Sequence, residues 1–363
     1  FTGEVRAVPE GEVVFANEPI VSVTAPLVQA QIVETRLINL VASQTMVASK
    51  AARVALACGD RGFVDFSARR DHGGDAAMQA ARGAWIGGSA GTSLVAAGQR
   101  WGIPLSGTMA HAFVMSFDDE RDAFRSFART FPDGAVLLID TYDTERGARR
   151  VVEIARELRA EGVTIAGVRL DSGDLVRLSK SVRAILDEGD LADASIFASG
   201  DLDEYRITEI LAAGAPIDAF GVGTQLGTSA DAPTLGAVYK LVADEDGPKI
   251  KLSEDKVTLP GRKQVWRLQD GEGRSVRDVI ALDDEEIDAA RPLLEAVVVD
   301  GRRSGPAEAL DAARDRCRAA LEALPSRLRT LQQRERPYEV RTSARLDALV
   351  GDLTSRRGRD TQA

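Results

Sequence analysis

Six times along the chain an apolar run of β-forming residues ends abruptly in a small, polar cluster rich in Gly, Asp and Thr. The runs and their ends are Phe63-Val64-Asp65-Phe66, Ile103-Pro104-Leu105-Ser106-Gly107-Thr108, Val136-Leu137-Leu138-Ile139-Asp140-Thr141, Ile165-Ala166-Gly167-Val168-Arg169-Leu170-Asp171-Ser172-Gly173-Asp174, Ile196-Phe197-Ala198-Ser199-Gly200-Asp201 and Phe220-Gly221-Val222-Gly223-Thr224. After a longer first gap, successive runs are separated by about one strand–helix unit. Near-continuous apolar strands are buried on both faces, as in parallel sheets. Ligands of such sheets bind at the carboxyl ends of the strands. The six clusters are therefore expected to meet at one face and form one site.

The expected fold class is α/β, an irregular (β/α) barrel with a second, smaller β-rich domain assembled from both ends of the chain. Residues 1–26 read as short strands at 5–8, 13–15 and 20–23 with turns between them. A helical pattern then runs from Pro26 to about Ala57 with a break. Helices are expected over 76–85, 89–100, 120–131, 145–161, 174–188 and 204–213, most followed by a glycine stop. Residues 247–280 turn β-like again, 306–324 read as an amphipathic helix, and the charged tail after Gly351 is expected to fray. The division expected is residues 1–35 plus 246–290 for the small domain, 36–245 for the barrel, and 291–363 for a helical extension and tail. The chain opens with Phe1 inside a strand pattern, so a preceding segment is expected to be missing.

The 363 residues carry a net charge of −10, which argues against a general nucleic-acid surface but leaves room for a local basic pocket. No stretch reaches about 18 uninterrupted apolar residues, so no membrane span is expected. Two cysteines, Cys58 and Cys317, without metal-type spacing point to a reducing cytoplasm, and no protein metal-ligand set is read.

His111, one of two histidines, follows the Gly107-Thr108 turn, a position suited to proton or phosphoryl chemistry. Arg69 and Arg70 follow a strand end, where a guanidinium fork matches phosphate or carboxylate. Phe66 is either core or a ring that stacks on a flat substrate. Strand alternation puts Arg169 and Asp171 on one face, and a buried pair of that kind is expensive unless paired or ligand-bound. The turns at Gly200-Asp201 and Gly223-Thr224 can cradle a phosphate with backbone N–H groups. Asp140 and Asp143 could bind ribose hydroxyls or a hydrated Mg²⁺, or Asp143 could cap the next helix. Lys50 and Lys240 sit outside the six clusters, which disfavours Schiff-base chemistry.

Taken in order, Asp65-Phe66…Arg69-Arg70…His72-Gly73, Gly91-Thr92-Ser93, Gly107-Thr108-Met109-Ala110-His111, Asp140-Thr141-Tyr142-Asp143-Thr144, Arg169 to Asp174, Ser199-Gly200-Asp201, Phe220 to Thr224 and Gly236 to Leu241 resemble the nicotinate phosphoribosyltransferase family. The match extends to Pro260-Gly261-Arg262-Lys263-Gln264-Val265. The resemblance implies an irregular α/β barrel beside a split β-rich domain. It also implies formation of nicotinate mononucleotide and pyrophosphate from nicotinate and phosphoribosyl pyrophosphate (PRPP), assisted by Mg²⁺ and coupled to ATP hydrolysis, in NAD salvage. Carried over by residue, His111 would be phosphorylated by ATP and Phe66 would stack on the pyridine. Arg69 would hold the phosphoribosyl phosphates, and Arg169 would face the pyridine carboxylate with Asp171 nearby. Thr108 would touch nicotinate; Gly200, Asp201, Gly223 and Thr224 would bind ribose and 5-phosphate; Asp140 would reach the ribose or pyrophosphate. At Ser93 the related nicotinamide enzymes carry an aspartate that would repel a carboxylate, so serine leans toward nicotinate. Ser67 stands where the family usually has glycine, and an N-terminal tyrosine of the family lies outside this sequence. A head-to-tail homodimer with shared active sites, no nucleic acid, no membrane and a cytoplasmic location are expected. The alternatives are a nicotinamide or quinolinate phosphoribosyltransferase, a phosphate-binding barrel lyase or aldolase, and a nucleotide-sensing paralogue without turnover.

Overall fold

The computed structural model describes residues 1–252, 258–331 and 336–360, with the side chains of 357–360 outside the description. The chain divides into two compact units, Phe1–Ala42 with Gly236–Ala363, and Ser43–Leu235. These boundaries lie near 42 and 236, beside the 35/36 and 245/246 boundaries expected from sequence.

In the unit Ser43–Leu235, six parallel strands form one sheet in the spatial order Gly91–Thr92, Gly62–Asp65, Ala219–Val222, Ser195–Ala198, Ile165–Leu170, Ala135–Leu138. The two outermost strands do not pair with each other, so the barrel is open and irregular. Its strands are apolar because helices cover them: Leu137, Leu138, Val168, Leu170, Ile196 and Phe220 are all at most 1% exposed. The helix Thr144–Arg159 shows how the covering works, since Ala148, Val151, Ile154, Ala155 and Leu158 recur at helical spacing and are buried.

Two expectations for this unit change. Residues 89–100 are not one helix; Gly91–Thr92 is the sixth strand and the helix is only Val95–Trp101. Thr92 is drawn into the sheet because its hydroxyl donates to the buried Asp65 carboxylate at 2.8 Å. The run 103–108 is correspondingly not a full strand. It makes a single parallel bridge, Leu105 to Thr92, and Pro104, which has no N–H to donate, interrupts the ladder.

The polar clusters divide their labour. Asp143, Asp174 and Asp203 each accept a hydrogen bond from a backbone N–H in the first turn of the following helix. Asp143 is thus a cap, the second of its two expected readings. The aspartates two or three residues earlier, Asp140, Asp171 and Asp201, are left for other work.

The unit Phe1–Ala42 with Gly236–Ala363 holds, among the described residues, a two-stranded antiparallel sheet of Ala243–Asp244 and Gly247–Pro248 and two four-stranded, antiparallel-rich sheets. One orders Arg302–Arg303, Glu295–Val299, Glu4–Ala7, Val21–Thr24; the other orders Ala290–Pro292, Lys263–Gln269, Ser275–Leu282, Glu339–Thr342. Residues 13–15 are not a strand; Phe15 instead stacks on Tyr338 at 3.7 Å between centroids. The stretch 291–363 is not only helical, since it supplies strands to both sheets. The helix Ala344–Asp360 extends into the region expected to fray, of which 361–363 lie outside the described residues. Arg267, 2% exposed, is held here by Asp278 at 2.6 Å and Glu12 at 2.7 Å.

Candidate active site

The strand Ile165–Leu170 sets the centre of the site. Its neighbour in register places Phe197 beside Arg169 and Ala198 beside Leu170, so Ser199 comes opposite Asp171. Arg169 Nε donates to Ser199 Oγ at 2.8 Å, Nη1 to Thr108 Oγ1 at 2.9 Å, and Nη2 to Asp171 Oδ1 at 2.7 Å. The guanidinium carbon lies 5.3 Å from the centre of the Phe66 ring, which packs tilted against Phe197 at 5.5 Å. Arg169 and Asp171 share one face, as the alternation required, and the pair answers the cost of burial.

His111 opens the short helix His111–Met115. Its Nδ1 lies 3.1 Å from Thr141 Oγ1. Its Nε2 faces Asp171 Oδ2 at 3.6 Å and Asp140 Oδ1 at 3.9 Å. Asp140 accepts the Asp171 N–H at 3.0 Å and the Ser172 hydroxyl at 2.6 Å through Oδ2. Its Oδ1 is buried without a hydrogen-bond partner among the described residues. Burial pushes the Asp171 carboxyl upward, but the Ser199 hydrogen bond, the Arg169 charge and His111 outweigh it and hold it below the usual carboxylate range.

Glycines close the rim where no side chain fits. Gly200 has φ of +99°, and a Cβ there would stand 2.1 Å from the Asp171 carbonyl oxygen. A Cβ on Gly221 would strike the Phe66 ring at 2.7 Å, so that glycine gives the ring its seat. The turn carrying Arg69 packs against the segment after Gly223: a Cβ on Gly227 would meet Ser67 at 2.4 Å. Arg69 itself is exposed on that turn.

The structure therefore brings Phe66, Thr108, His111, Asp140, Arg169, Asp171 and Gly200 into one contact network. Gly223 lies beside Phe66, with its Cβ position 3.2 Å from the Phe66 carbonyl oxygen. Ser93 is exposed at the end of its strand, its N–H donating to the Asp65 carbonyl at 2.9 Å. The side chains of Asp201 and Thr224 lie on the adjacent turns rather than on Arg169 or His111.

Sequence reasoning passed over Ser199 as a side chain. It accepts from Arg169 and donates to Asp171 Oδ1 at 2.6 Å. The signal was available: Arg169-Leu170-Asp171 and Phe197-Ala198-Ser199 end neighbouring strands at equal length. Thr141 and Asp65 were also missed. Asp65 takes hydrogen bonds from Ser67 N–H at 2.9 Å and from Thr92, bracing the Phe66 turn from below.

An open parallel barrel whose strand ends gather an arginine, a histidine, two carboxylates and glycine turns has the layout of an enzyme active site. The model of the nicotinate phosphoribosyltransferase (NAPRTase) family matches residues 62–258. A nicotinate phosphoribosyltransferase of Mycobacterium tuberculosis, pncB2, is 48% identical over 99% of this chain and 77% of its own length. One of Bacillus subtilis is 50% identical over 78% of this chain and 59% of its own. The crystal structure of human nicotinic acid phosphoribosyltransferase superposes with a TM-score of 0.86 at 28% identity, covering 97% of this chain and 82% of that one. The chain belongs to the nicotinate phosphoribosyltransferase family.

Proposed function

We infer that this chain is a nicotinate phosphoribosyltransferase, joining nicotinate to the phosphoribosyl group of PRPP in NAD salvage. The single observation that carries the substrate side is Arg169. Three of its N–H groups are held by Ser199, Thr108 and Asp171 beside the Phe66 ring. The guanidinium is thereby oriented over a surface on which a flat pyridine carboxylate can lie.

In the reaction proposed, the bond from ribose C1 to pyrophosphate breaks and leaves an oxocarbenium-like centre. The pyridine nitrogen attacks from the opposite face and its electron pair forms the new bond. The protein contributes positioning and charge more than proton transfer. Phe66 and Arg169 orient the ring, while Asp140 and Asp171 lie where positive charge on the ribose is favoured. Backbone donors at 200–201 and 223–224, with Arg69, take the phosphates.

Mg²⁺ belongs to the reading as a partner of the PRPP pyrophosphate. Among the described residues no three His, Cys, Asp or Glu side chains gather as a metal cage, and the unpartnered Asp140 Oδ1 is the protein oxygen that suits such an ion. A cation of this kind commonly takes one or two carboxylates together with substrate phosphates. The ion would supply charge neutralisation for the leaving group. ATP is proposed to transfer its γ-phosphoryl group to His111, releasing ADP; water later takes the phosphoryl group from the ring. Asp171 and Asp140 on the Nε2 side favour the proton there, leaving the lone pair on Nδ1 beside Thr141. A cytoplasmic homodimer with shared sites completes the proposal. It is supported by the family resemblance and by Leu27, Val28 and Ile32, exposed at 57%, 69% and 75% on one short helix.

The test is mononucleotide formation from PRPP with nicotinate, nicotinamide and quinolinate in parallel, each with and without ATP. Turnover of nicotinate above the other two is expected, and preference for nicotinamide or quinolinate would overturn the reading.

A further inference from the structure

Lys50 and Arg53 stand on the helix Glu34–Cys58, outside all six polar clusters. Lys50 is 2% exposed. Its Nζ contacts Glu204 Oε2 at 2.8 Å and Asp231 Oδ1 at 2.7 Å. Arg53 takes the other oxygen of each carboxylate, Glu204 Oε1 at 2.7 Å and Asp231 Oδ2 at 2.7 Å. Two cations and two carboxylates alternate in a closed ring, and Arg53 also donates to the Tyr205 hydroxyl at 2.7 Å.

Stability alone does not call for this arrangement. Lys50 and Glu204 give up nearly all their hydration, and apolar residues of similar volume commonly serve a core as well or better. The places the ring joins are more informative. Glu204 is the first residue of the helix that follows residues 199–203. Asp231 ends the segment that follows residues 223–224, a segment folded on itself by Ala230 N–H to the Gln225 carbonyl at 3.2 Å and Ala232 N–H to the Ser229 carbonyl at 2.8 Å. The front of the first turn is pinned separately, by Gly200 lying on the Asp171 carbonyl. Two side chains of one helix thus tie the backs of both turns together. The pyridine side, at Phe66, Thr108, Arg169 and Ser199, has no member in the ring.

We propose that Lys50 and Arg53 are positioning residues that hold the turns at 200–201 and 223–224 at a fixed separation, so that their donors converge on one sugar phosphate. The proposal rests on the reading of these turns as the 5-phosphate site. It separates the two substrates: loosening the ring weakens the phosphoribosyl side and leaves the pyridine side intact.

Asp231→Asn is the first variant, because the Asp231 side chain is 35% exposed and Glu204 still faces both cations after the change. Expected is a rise of at least about fivefold in the KM for PRPP, with kcat and the KM for nicotinate within about twofold; fivefold corresponds to roughly 1 kcal/mol. Lys50→Met should give a larger rise in the same direction, and Lys50→Arg should recover part of it. Equal rises in both KM values, or loss confined to kcat, would overturn the proposal. Should Lys50→Met not fold, as judged by circular dichroism, Asp231→Asn and Arg53→Lys decide by the same split. Calorimetric binding of ribose 5-phosphate at fixed salt separates this proposal from the substrate reading. If the wild-type chain turns over no pyridine yet Asp231→Asn weakens ribose 5-phosphate binding, the clamp stands and the substrate reading falls. Unchanged binding in the variant overturns the clamp.

Discussion

Arg169→Ala tests the substrate side at its centre. A guanidinium carries five N–H groups. Ser199, Thr108 and Asp171 use three of them, so two remain, one on each terminal nitrogen, and a carboxylate can accept both. A hydrogen bond to a charged group contributes about 1.5–3 kcal/mol, and two from one fork do not add fully, so about 2–4 kcal/mol is at stake. That is a fall of roughly 30- to 1,000-fold in kcat/KM for nicotinate. The variant also leaves the Asp171 carboxylate without its cation, and its repulsion of the substrate carboxylate acts in the same direction. Nicotinamide, which is neutral, should lose far less, so the ratio of the two kcat/KM values should drop by more than about tenfold. Initial rates with each pyridine at saturating PRPP measure this, after circular dichroism confirms the fold. Arg169→Lys should fall between wild type and Ala, since one ammonium cannot serve Asp171 and substrate with a planar fork. Equal losses for nicotinate and PRPP, or an unchanged pyridine ratio, would refute the reasoning.

His111→Ala is expected to keep a basal transferase rate and lose stimulation by ATP; rates with and without ATP check this, and a variant that ATP still stimulates rejects the phosphohistidine role. Gly200→Ala should destabilise the barrel by at least about 2 kcal/mol, because a positive φ is strained for alanine and the new methyl meets a backbone oxygen; an unchanged urea midpoint would count against the observed turn. Glu18, in the other unit, has its carboxyl pushed up to about 8, first by burial and then by Asp278. The folded state therefore binds this proton more tightly than the unfolded chain. The stability it contributes is complete below the ordinary value of 4.5 and is lost as pH rises toward about 8. Glu18→Gln should accordingly gain in melting temperature over wild type between pH 5 and 9; parallel melting curves across that range would refute it.

Five of the six apolar runs that ended in polar clusters became strands of one parallel sheet, because a strand buried on both sides is apolar along its length and polar only at its ends. The alternation of Arg169 and Asp171 was legible for the same local reason. Motif order identified the family, and Ser93 carried a lean toward one substrate. What a strand's neighbours do was not legible. Nothing in Gly91-Thr92 announces a strand; Thr92 became one because Asp65 lies buried next to it and takes its hydroxyl. Asp140 and Asp143 are the same residue type three positions apart, yet one caps a helix and the other turns back to Asp171 and Ser172. Lys50, set aside for lying outside the six clusters, meets its two carboxylates from 154 and 181 positions away. Local propensity and periodicity act within a few residues and are written in the chain. Charge pairing and hydrogen-bond geometry act over a few ångströms in space, and only the closed fold settles which distant residues come within that reach.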